Sequence, residues 1–539
     1  MSEVVLDGES LTPAEVAAVA RDDATVRIAD DAREAVRKSR ERVADVLDSG
    51  ETVYGINTGF GELVDERIPP EDVAQLQTNL VRSHAAGAGR ELDREEVRAM
   101  LVTRVNALVK GYSGIREVVV DHLVTMLNER VHPVVKSRGS LGASGDLAPL
   151  AHMALVLLGE GEARVEDGDT DRLPGDAALA RADLEPLALE AKEGLALING
   201  TQLTVGLAAL AVVDSERAVR AADAAGALTT EVTLGTTAAC DDAIQAVRPH
   251  RGQRVSARNV KRLTEASGIV EAHRNCDRVQ DAYSIRCLPQ VHGAVRDAVS
   301  HLRDAVETEL NSATDNPLVF PPGAVDDRAS GTDEAAVLSG GNFHGEPLAL
   351  RLDYLTSAVT ELAAICERRV DRLLNPNLQE SHLPPFLTPE SGLQSGYMIA
   401  QYTAAALVNE CRSIGRPSTD NTPVSGGQED HVSMSGQSAL DARRAVANAT
   451  TVVGVELLCA AQAAEFVTPE AVRAATPGGD GPDDDVDLDH GDGTARVYEA
   501  VREVVSPLDA DRPVHEDIDL ARAVVAAGAL DAALGDLVE

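Results

Sequence analysis

Gly139-Ser140-Leu141-Gly142-Ala143-Ser144-Gly145-Asp146-Leu147-Ala148-Pro149-Leu150-Ala151-His152 is the stretch from which the rest of the chain is best read. It holds an Ala-Ser-Gly tripeptide between small residues and a helix start. Gly142 relieves the steric limits on a tight backbone. Asp146 is a candidate N-cap, followed by Pro149 and an apolar run to Leu158 and Gly159. Such a tripeptide can turn back on itself. The Gly145 nitrogen attacks the Ala143 carbonyl carbon, and loss of two waters leaves a conjugated methylidene-imidazolone ring. Its exocyclic methylene, made from the Ser144 side chain, is an electrophile that no ordinary side chain provides. A chain that builds one does chemistry that otherwise takes a bound cofactor. The adjoining helix start offers the positive end of a helix dipole, which favours electron flow into the ring.

Ala-Ser-Gly occurs three times: at Ala143 to Gly145, Ala266 to Gly268 and Ala329 to Gly331. Only the first has a second glycine just upstream and the capped apolar run behind it. The other two read most simply as turns.

Working outward, six further motifs appear in order. They are Tyr54-Gly55-Ile56-Asn57-Thr58-Gly59-Phe60-Gly61, Arg82-Ser83-His84-Ala85-Ala86-Gly87 and Ile198-Asn199-Gly200-Thr201-Gln202. Then come Gln280-Asp281-Ala282-Tyr283-Ser284-Ile285-Arg286, Ser339-Gly340-Gly341-Asn342-Phe343-His344-Gly345 and Gln428-Glu429-Asp430-His431. Together with the tripeptide they resemble the histidine and aromatic amino acid ammonia-lyase family, and within it most resemble the members acting on histidine. The resemblance implies a mainly α fold: an elongated helical bundle of the fumarase/aspartase-like type, with a smaller N-terminal region carrying the electrophile. It also implies a homotetramer whose sites combine residues from more than one subunit, and no external cofactor beyond the self-made ring from Ala143, Ser144 and Gly145.

The implied reaction is non-oxidative elimination of ammonia from L-histidine to give urocanate, the first step of histidine degradation. The β-hydrogen is not acidic and ammonium leaves poorly, so the electrophile is needed to improve the leaving group. By motif transfer Tyr54 is the first choice for the base that removes the β-proton, with Tyr283 the alternative. A free tyrosine has a pKa of about 10, so local charge or hydrogen bonds must activate it. Arg286 holds the substrate carboxylate with a bidentate fork. Asn199 and Gln280 donate hydrogen bonds near the ring carbonyl or the carboxylate. Tyr283 and Phe343 resemble residues that shape the site and assist ring formation. His84 and Glu429 set the substrate: a carboxylate accepts an imidazole N–H, and relatives acting on phenylalanine or tyrosine carry an amide in its place. Glu429 acts on the imidazole or assists the leaving ammonia.

Three other readings are open. One is a phenylalanine or tyrosine ammonia-lyase or an aminomutase of the same family; His84 with Glu429 argues against it. Another is a fumarase-like lyase, which needs a Gly-Ser-Ser-x-Met-Pro loop that the sequence lacks. The third is a helical scaffold without the electrophile, which an intact mass distinguishes.

The chain carries 49 basic and 88 acidic side chains, a formal net charge of −39. No basic stripe compensates, which argues against a nucleic-acid partner. Lysine occurs only at Lys38, Lys110, Lys136, Lys192 and Lys261. Few lysines, many acids and small apolar residues suggest adaptation to high salt; an ordinary acidic enzyme is the alternative. The six cysteines show no Cys-x-x-Cys spacing and read as thiols in a reducing cytoplasm. Met1 to Asp7 lacks a signal peptide's basic and apolar regions, and no run of about 18 apolar residues points to a membrane. There is no His-Glu-x-x-His and no Gly-Lys pair, so neither a zinc site nor a Walker-type phosphate loop is expected.

Helical patterns dominate. Thr12-Pro13-Ala14-Glu15 is a capping box. Pro70 precedes Val73, Leu76 and Leu80, one helix face leading to His84. Asp93 and Glu96 cap a helix with Val97, Leu101, Val105 and Leu108 that Gly111 closes. Longer helices are expected over 201–227, 292–311, 345–373, 389–415 and 437–466. Three regions follow: 1–200 with the tyrosine loop and electrophile, 201–475 with the long helices, and 476–539. The last opens on a Gly-, Pro- and Asp-rich loop over 476–494 and ends in a helical tail.

Overall fold

The computed structural model describes residues 3–58, 68–166, 170–273, 279–326, 330–419, 421–475 and 487–539. Gly59, Phe60 and Gly61 of the tyrosine loop, Cys276, Ala329 and residues 476–486 lie outside the described residues. The fold is mainly helical. The expected long helices run over Gln202–Val232, Leu288–Leu310, Glu346–Leu374, Met398–Ser413 and Ser435–Ala464. The fourth starts later than its pattern, because a short 3-10 turn at Pro385–Leu387 and the turns after it take up the stretch before Met398. The capping box at Thr12 forms as read: Thr12 Oγ1 accepts the Glu15 N–H, and Glu15 Oε2 accepts the Thr12 N–H at 2.9 Å. Helix Arg94–Val109 starts at Asp93, whose N–H donates to Glu96 Oε2 at 2.8 Å.

Two compact units emerge from the backbone contacts. Unit 1 comprises residues 1–213, 302–353 and 416–443; unit 2 comprises 214–301, 354–415 and 444–539. The sequence reading divides the chain after 200 and after 475, whereas each compact unit gathers three separate stretches.

Unit 1 carries the strands, which are few and short as expected. Glu3–Leu6 pairs in parallel with Thr25–Ile28. Val131–Pro133, Glu162–Glu166 and Thr170–Pro174 form an antiparallel sheet, and Leu318–Phe320, Ala336–Leu338 and Ser330–Gly331 form another. An apolar cluster of Val43, Val46, Val53, Ile56, Val73, Ala191, Val319, Ala335 and Val337 ties helix Asp30–Ser49 to the Tyr54 turn and the Leu318 sheet. Ser330 and Gly331 of the third tripeptide therefore lie in a strand rather than a turn.

In unit 2, Ser267 of the second tripeptide is a helix N-cap, its Oγ accepting the Val270 N–H at 3.2 Å. The largely apolar interior of this unit also holds ion pairs. Arg369 and Glu456 pair with no surface exposed, and Asp223 accepts from His292 at 2.7 Å and from Arg296 at 2.6 Å. Each of these buried charges has an opposite partner, the condition for keeping charge in a core.

Ser435–Ala464 is the one helix among the described residues long and apolar enough to cross a membrane by length and composition; 83% of its apolar window is buried within the protein. Cys240, Cys287, Cys366, Cys411 and Cys459 are all free thiols.

Candidate active site

The tripeptide sits in a backbone vice. Gly142 and Gly145 take φ of 69° and 74°, the left-handed region that glycine alone enters without strain. A Cβ on Gly145 would lie 2.2 Å from the Gly200 oxygen, and one on Gly142 would lie 2.2 Å from Ser433 Oγ. The Gly142 carbonyl accepts from the Gly345 N–H at 2.9 Å and from Ser433 Oγ at 3.0 Å; the Leu141 carbonyl accepts from the Met434 N–H at 2.7 Å. Gly145 pairs with Gly200, and the Asp146 N–H donates to the Gly200 carbonyl at 2.7 Å.

Helix Leu147–Leu157 begins two residues beyond Gly145, so its positive end adjoins the tripeptide. Asp146 stands at its N-cap position, but its carboxylate makes no capping bond. It is fully buried, and its oxygens are taken by Ser140 Oγ at 2.6 Å, the Thr204 N–H at 2.8 Å and Thr204 Oγ1 at 3.1 Å. Burial raises the pKa of this carboxyl. The side chain thus ties the tripeptide to helix Gln202–Val232, a role that helix-start patterns do not reveal.

Ser144 is gripped at both its polar ends. Asn199 Nδ2 donates to the Ser144 carbonyl at 2.8 Å, and the Ser144 hydroxyl donates to Glu429 Oε1 at 3.1 Å. Asn199 Oδ1 is buried with no hydrogen-bond partner among the described residues. An amide donor on a carbonyl oxygen draws electron density toward that oxygen.

A cavity of about 800 Å³ opens beside the tripeptide, within the range of small-molecule sites. Its lining comes entirely from unit 1. Ala143, Ser144, Tyr54, His84, Asn199, Phe343 and Glu429 all face it, joined by Leu80, Asn316, His344, Gln428, Asp430 and His431. Tyr54 rides on a tight turn closed at both ends by Asn57, whose Oδ1 accepts the Val53 N–H at 2.8 Å and whose Nδ2 donates to Glu51 at 2.7 Å. Val53 and Ile56 root the turn in the core. Gly55 has φ of 75° and packs where a Cβ would reach Pro317 at 2.7 Å.

His84 ends helix Val73–His84. Its Nδ1 lies 2.8 Å from the Leu80 carbonyl, which accepts only. Nδ1 therefore carries a proton, the tautomer in which Nε2 is the ring's acceptor. His344 takes the opposite form: the Glu346 N–H donates to Nδ1, and Nε2–H donates to the His431 carbonyl, both at 3.3 Å. The His344 and His431 rings stack at 5.8 Å between centroids.

Gln280, Tyr283 and Arg286 belong to unit 2 and are not among the lining residues. Tyr283 is 71% exposed, and the Arg286 guanidinium lies over its ring, 4.7 Å from the centroid. Asn316, Leu195 and Ser425 line the cavity and were not singled out from the sequence. Asn316 lies outside every motif, though its place before Pro317 marks a turn; its Oδ1 accepts the Gly340 N–H at 2.8 Å.

A family model described as aromatic amino acid lyase matches residues 11–503. The chain is 64% identical over 531 residues to a probable histidine ammonia-lyase of Halobacterium salinarum, covering 98% of this chain and 97% of that one. It is 46% identical over 535 residues to a histidine ammonia-lyase of Caldanaerobacter subterraneus, covering 99% and 98%. Among solved structures it is similar to the histidine ammonia-lyase of Trypanosoma cruzi, with a TM-score of 0.88, 40% identity, and 100% and 96% of the two chains covered.

Proposed function

The chain belongs to the aromatic amino acid lyase family, and on that premise we propose that its Ser144 cavity eliminates ammonia from L-histidine to give urocanate. It is a carbon–nitrogen lyase: the Cα–N bond breaks, one Cβ–H proton is lost, and the pair of electrons left behind closes the double bond. The observation that carries the assignment of the site is the double grip on Ser144, by Asn199 at its carbonyl and Glu429 at its hydroxyl.

The methylidene-imidazolone implied by the family fits the residues present. Gly142 and Gly145 hold the left-handed backbone that suits a tight turn at this place, and the Ser144 oxygen that would remain on the ring is already bonded by Asn199. The chemistry such a ring supplies is an electrophilic methylene that makes the substrate nitrogen a better leaving group.

The chain's own side chains do the rest. Asn199 polarises the Ser144 carbonyl. Dehydration of Ser144 removes the hydroxyl that now occupies Glu429 Oε1, so that oxygen turns to a substrate N–H. His84 Nε2 accepts from the imidazole. Tyr54, on its rigid turn at the cavity wall, takes the β-proton. Phe343 closes the apolar side.

In a homotetramer, the exposed Gln280 and Tyr283 and the half-buried Arg286 of one subunit serve the cavity of another, Arg286 meeting the substrate carboxylate. Free thiols and the family resemblance support a cytoplasmic setting. The net charge of −39 with only five lysines supports a high-salt one.

The test is to incubate the protein with L-histidine, L-phenylalanine and L-tyrosine and follow ultraviolet absorbance. Urocanate formed from histidine alone supports the reading; no product from histidine, or an intact mass not lighter by two waters, overturns it. Mixing inactive Ser144→Ala and Arg286→Ala subunits tests the shared site, since activity returns only if one cavity draws on two chains.

A further inference from the structure

Helix Arg94–Val109 is buried nearly all round, and Arg104 lies within it with no exposed surface. Its guanidinium bonds to no carboxylate among the described residues. Nη1 donates to the Asn199 peptide carbonyl at 3.0 Å and to the side-chain oxygen of Gln202; Nη2 donates to the Ala196 carbonyl. Nε is buried without a hydrogen-bond partner among the described residues. Three oxygens of one short segment, 196–202, thus converge on a single cation. The same segment carries Asn199, whose amide meets Ser144.

The surroundings offset this charge only in part. Lys192 is also fully buried and pairs with Asp315 at 2.6 Å. Two interior cations share one acid, and burial lowers the pKa of both, that of Arg104 to about 10. Gln202 is fixed in turn: Thr103 Oγ1 donates to its carbonyl at 3.1 Å, and its Nε2 donates to Thr314 Oγ1 at 2.8 Å. Interior charge of this kind costs stability that an apolar side chain of similar volume would not. The site that gains from it is the amide above.

We propose that Arg104 is a positioning residue for the lyase reaction: acting through the Asn199 peptide, it fixes the amide that polarises the Ser144 carbonyl. This rests on the lyase reading. A low-dielectric interior magnifies the effect, because positive charge there stabilises electrons moving onto the Ser144 oxygen more than it would in water.

The experiment is a double-mutant cycle on the full chain with Arg104→Lys and Asn199→Ala. Each single variant is expected to lower kcat by about tenfold or more, the effect of one lost buried charge-assisted bond, with KM little changed. The double variant is expected to be no slower than Asn199→Ala alone. Intact mass reports whether the ring forms. Where it does, its ultraviolet band, whose position follows the polarisation of the ring carbonyl, is expected to move to shorter wavelength in both single variants. If Arg104→Lys does not fold, Gln202→Met removes one of the guanidinium's acceptors and is carried through the same cycle. Effects that multiply, or a band that stays in place in a folded variant of position 104 or 202, overturn the proposal. A wild-type chain that makes no urocanate overturns the lyase reading instead.

Discussion

Gly145 and Gly200 lie backbone against backbone, so close that a single Cβ on Gly145 would come within 2.2 Å of the Gly200 oxygen. That approach registers two distant pieces of chain. It sets Asn199 over the Ser144 carbonyl and Asp146 against Thr204. Any side chain at position 145 forces them apart.

Ser144→Ala is expected to abolish turnover while leaving the helical circular dichroism intact, because alanine has no hydroxyl to lose. Ser267→Ala is expected to keep turnover, since Ser267 only caps a five-residue helix, at a local cost of about 1 kcal/mol. Intact mass and kcat on both variants check this; equal losses would mean that the wrong tripeptide was assigned.

Glu429→Gln keeps size and loses charge, and histidine kcat/KM is expected to fall at least about tenfold, from roughly 1.5 to 3 kcal/mol for a hydrogen bond to a charged group. Arg286→Lys is expected to weaken histidine and imidazole-free carboxylate inhibitors alike, for want of the fork. Inhibition constants measured beside kcat/KM separate the two. Should Glu429→Gln weaken those inhibitors as much as histidine, the residue has no part in recognising the imidazole.

Activity is expected to rise with potassium chloride into the molar range. Repulsion among the charges summing to −39 is screened over about 3 Å at 1 M, against about 10 Å at 0.1 M. A chain that stays fully active for hours in dilute buffer refutes the salt adaptation and leaves the chemistry untouched.

Glu309 titrates in an unusual place. Burial lifts its carboxyl from 4.5 to about 6, with Thr201 Oγ1 donating to it at 2.5 Å. Between those values the folded chain holds more protons than the unfolded one, so stability falls as pH rises through that window, by about 2 kcal/mol in all. Glu309→Gln keeps the acceptor for Thr201 and is expected to raise Tm at pH 8 but not near pH 4.5. An equal Tm for the two proteins at pH 8 contradicts this.

The residues that announced themselves in sequence did so through rigid local grammar. Thr12 and Glu15, Asp93 and Glu96, and the Pro-led helix into His84 follow from backbone hydrogen bonds over a few residues, and such rules need no tertiary knowledge. The family resemblance supplied the site, and seven of its named residues line the cavity together. What stayed hidden depends on distant partners. Asp146 reads as a cap because caps are local; only the fold brings Ser140 and Thr204 to its carboxylate. Arg104 had a signal that went unread: a cation set among apolar residues on all sides of a helix has no water-facing side to use, and so must serve an interior partner. Leu195 gave none, and Asn316 gave only its place before Pro317, since neither belongs to a motif.

The vice around Gly142 is closed by residues 433 and 434, near the far end of unit 1. During synthesis the tripeptide emerges first and its clamps last. At roughly 5–20 residues per second, a quarter of a minute to a minute separates them. A nascent chain halted before residue 433 carries Ala143, Ser144 and Gly145 with no Ser433 and no Met434 to hold Leu141 and Gly142. The proposed catalytic centre is therefore completed by the clock of translation as much as by the order of its letters: the tripeptide waits for the residues that hold it still.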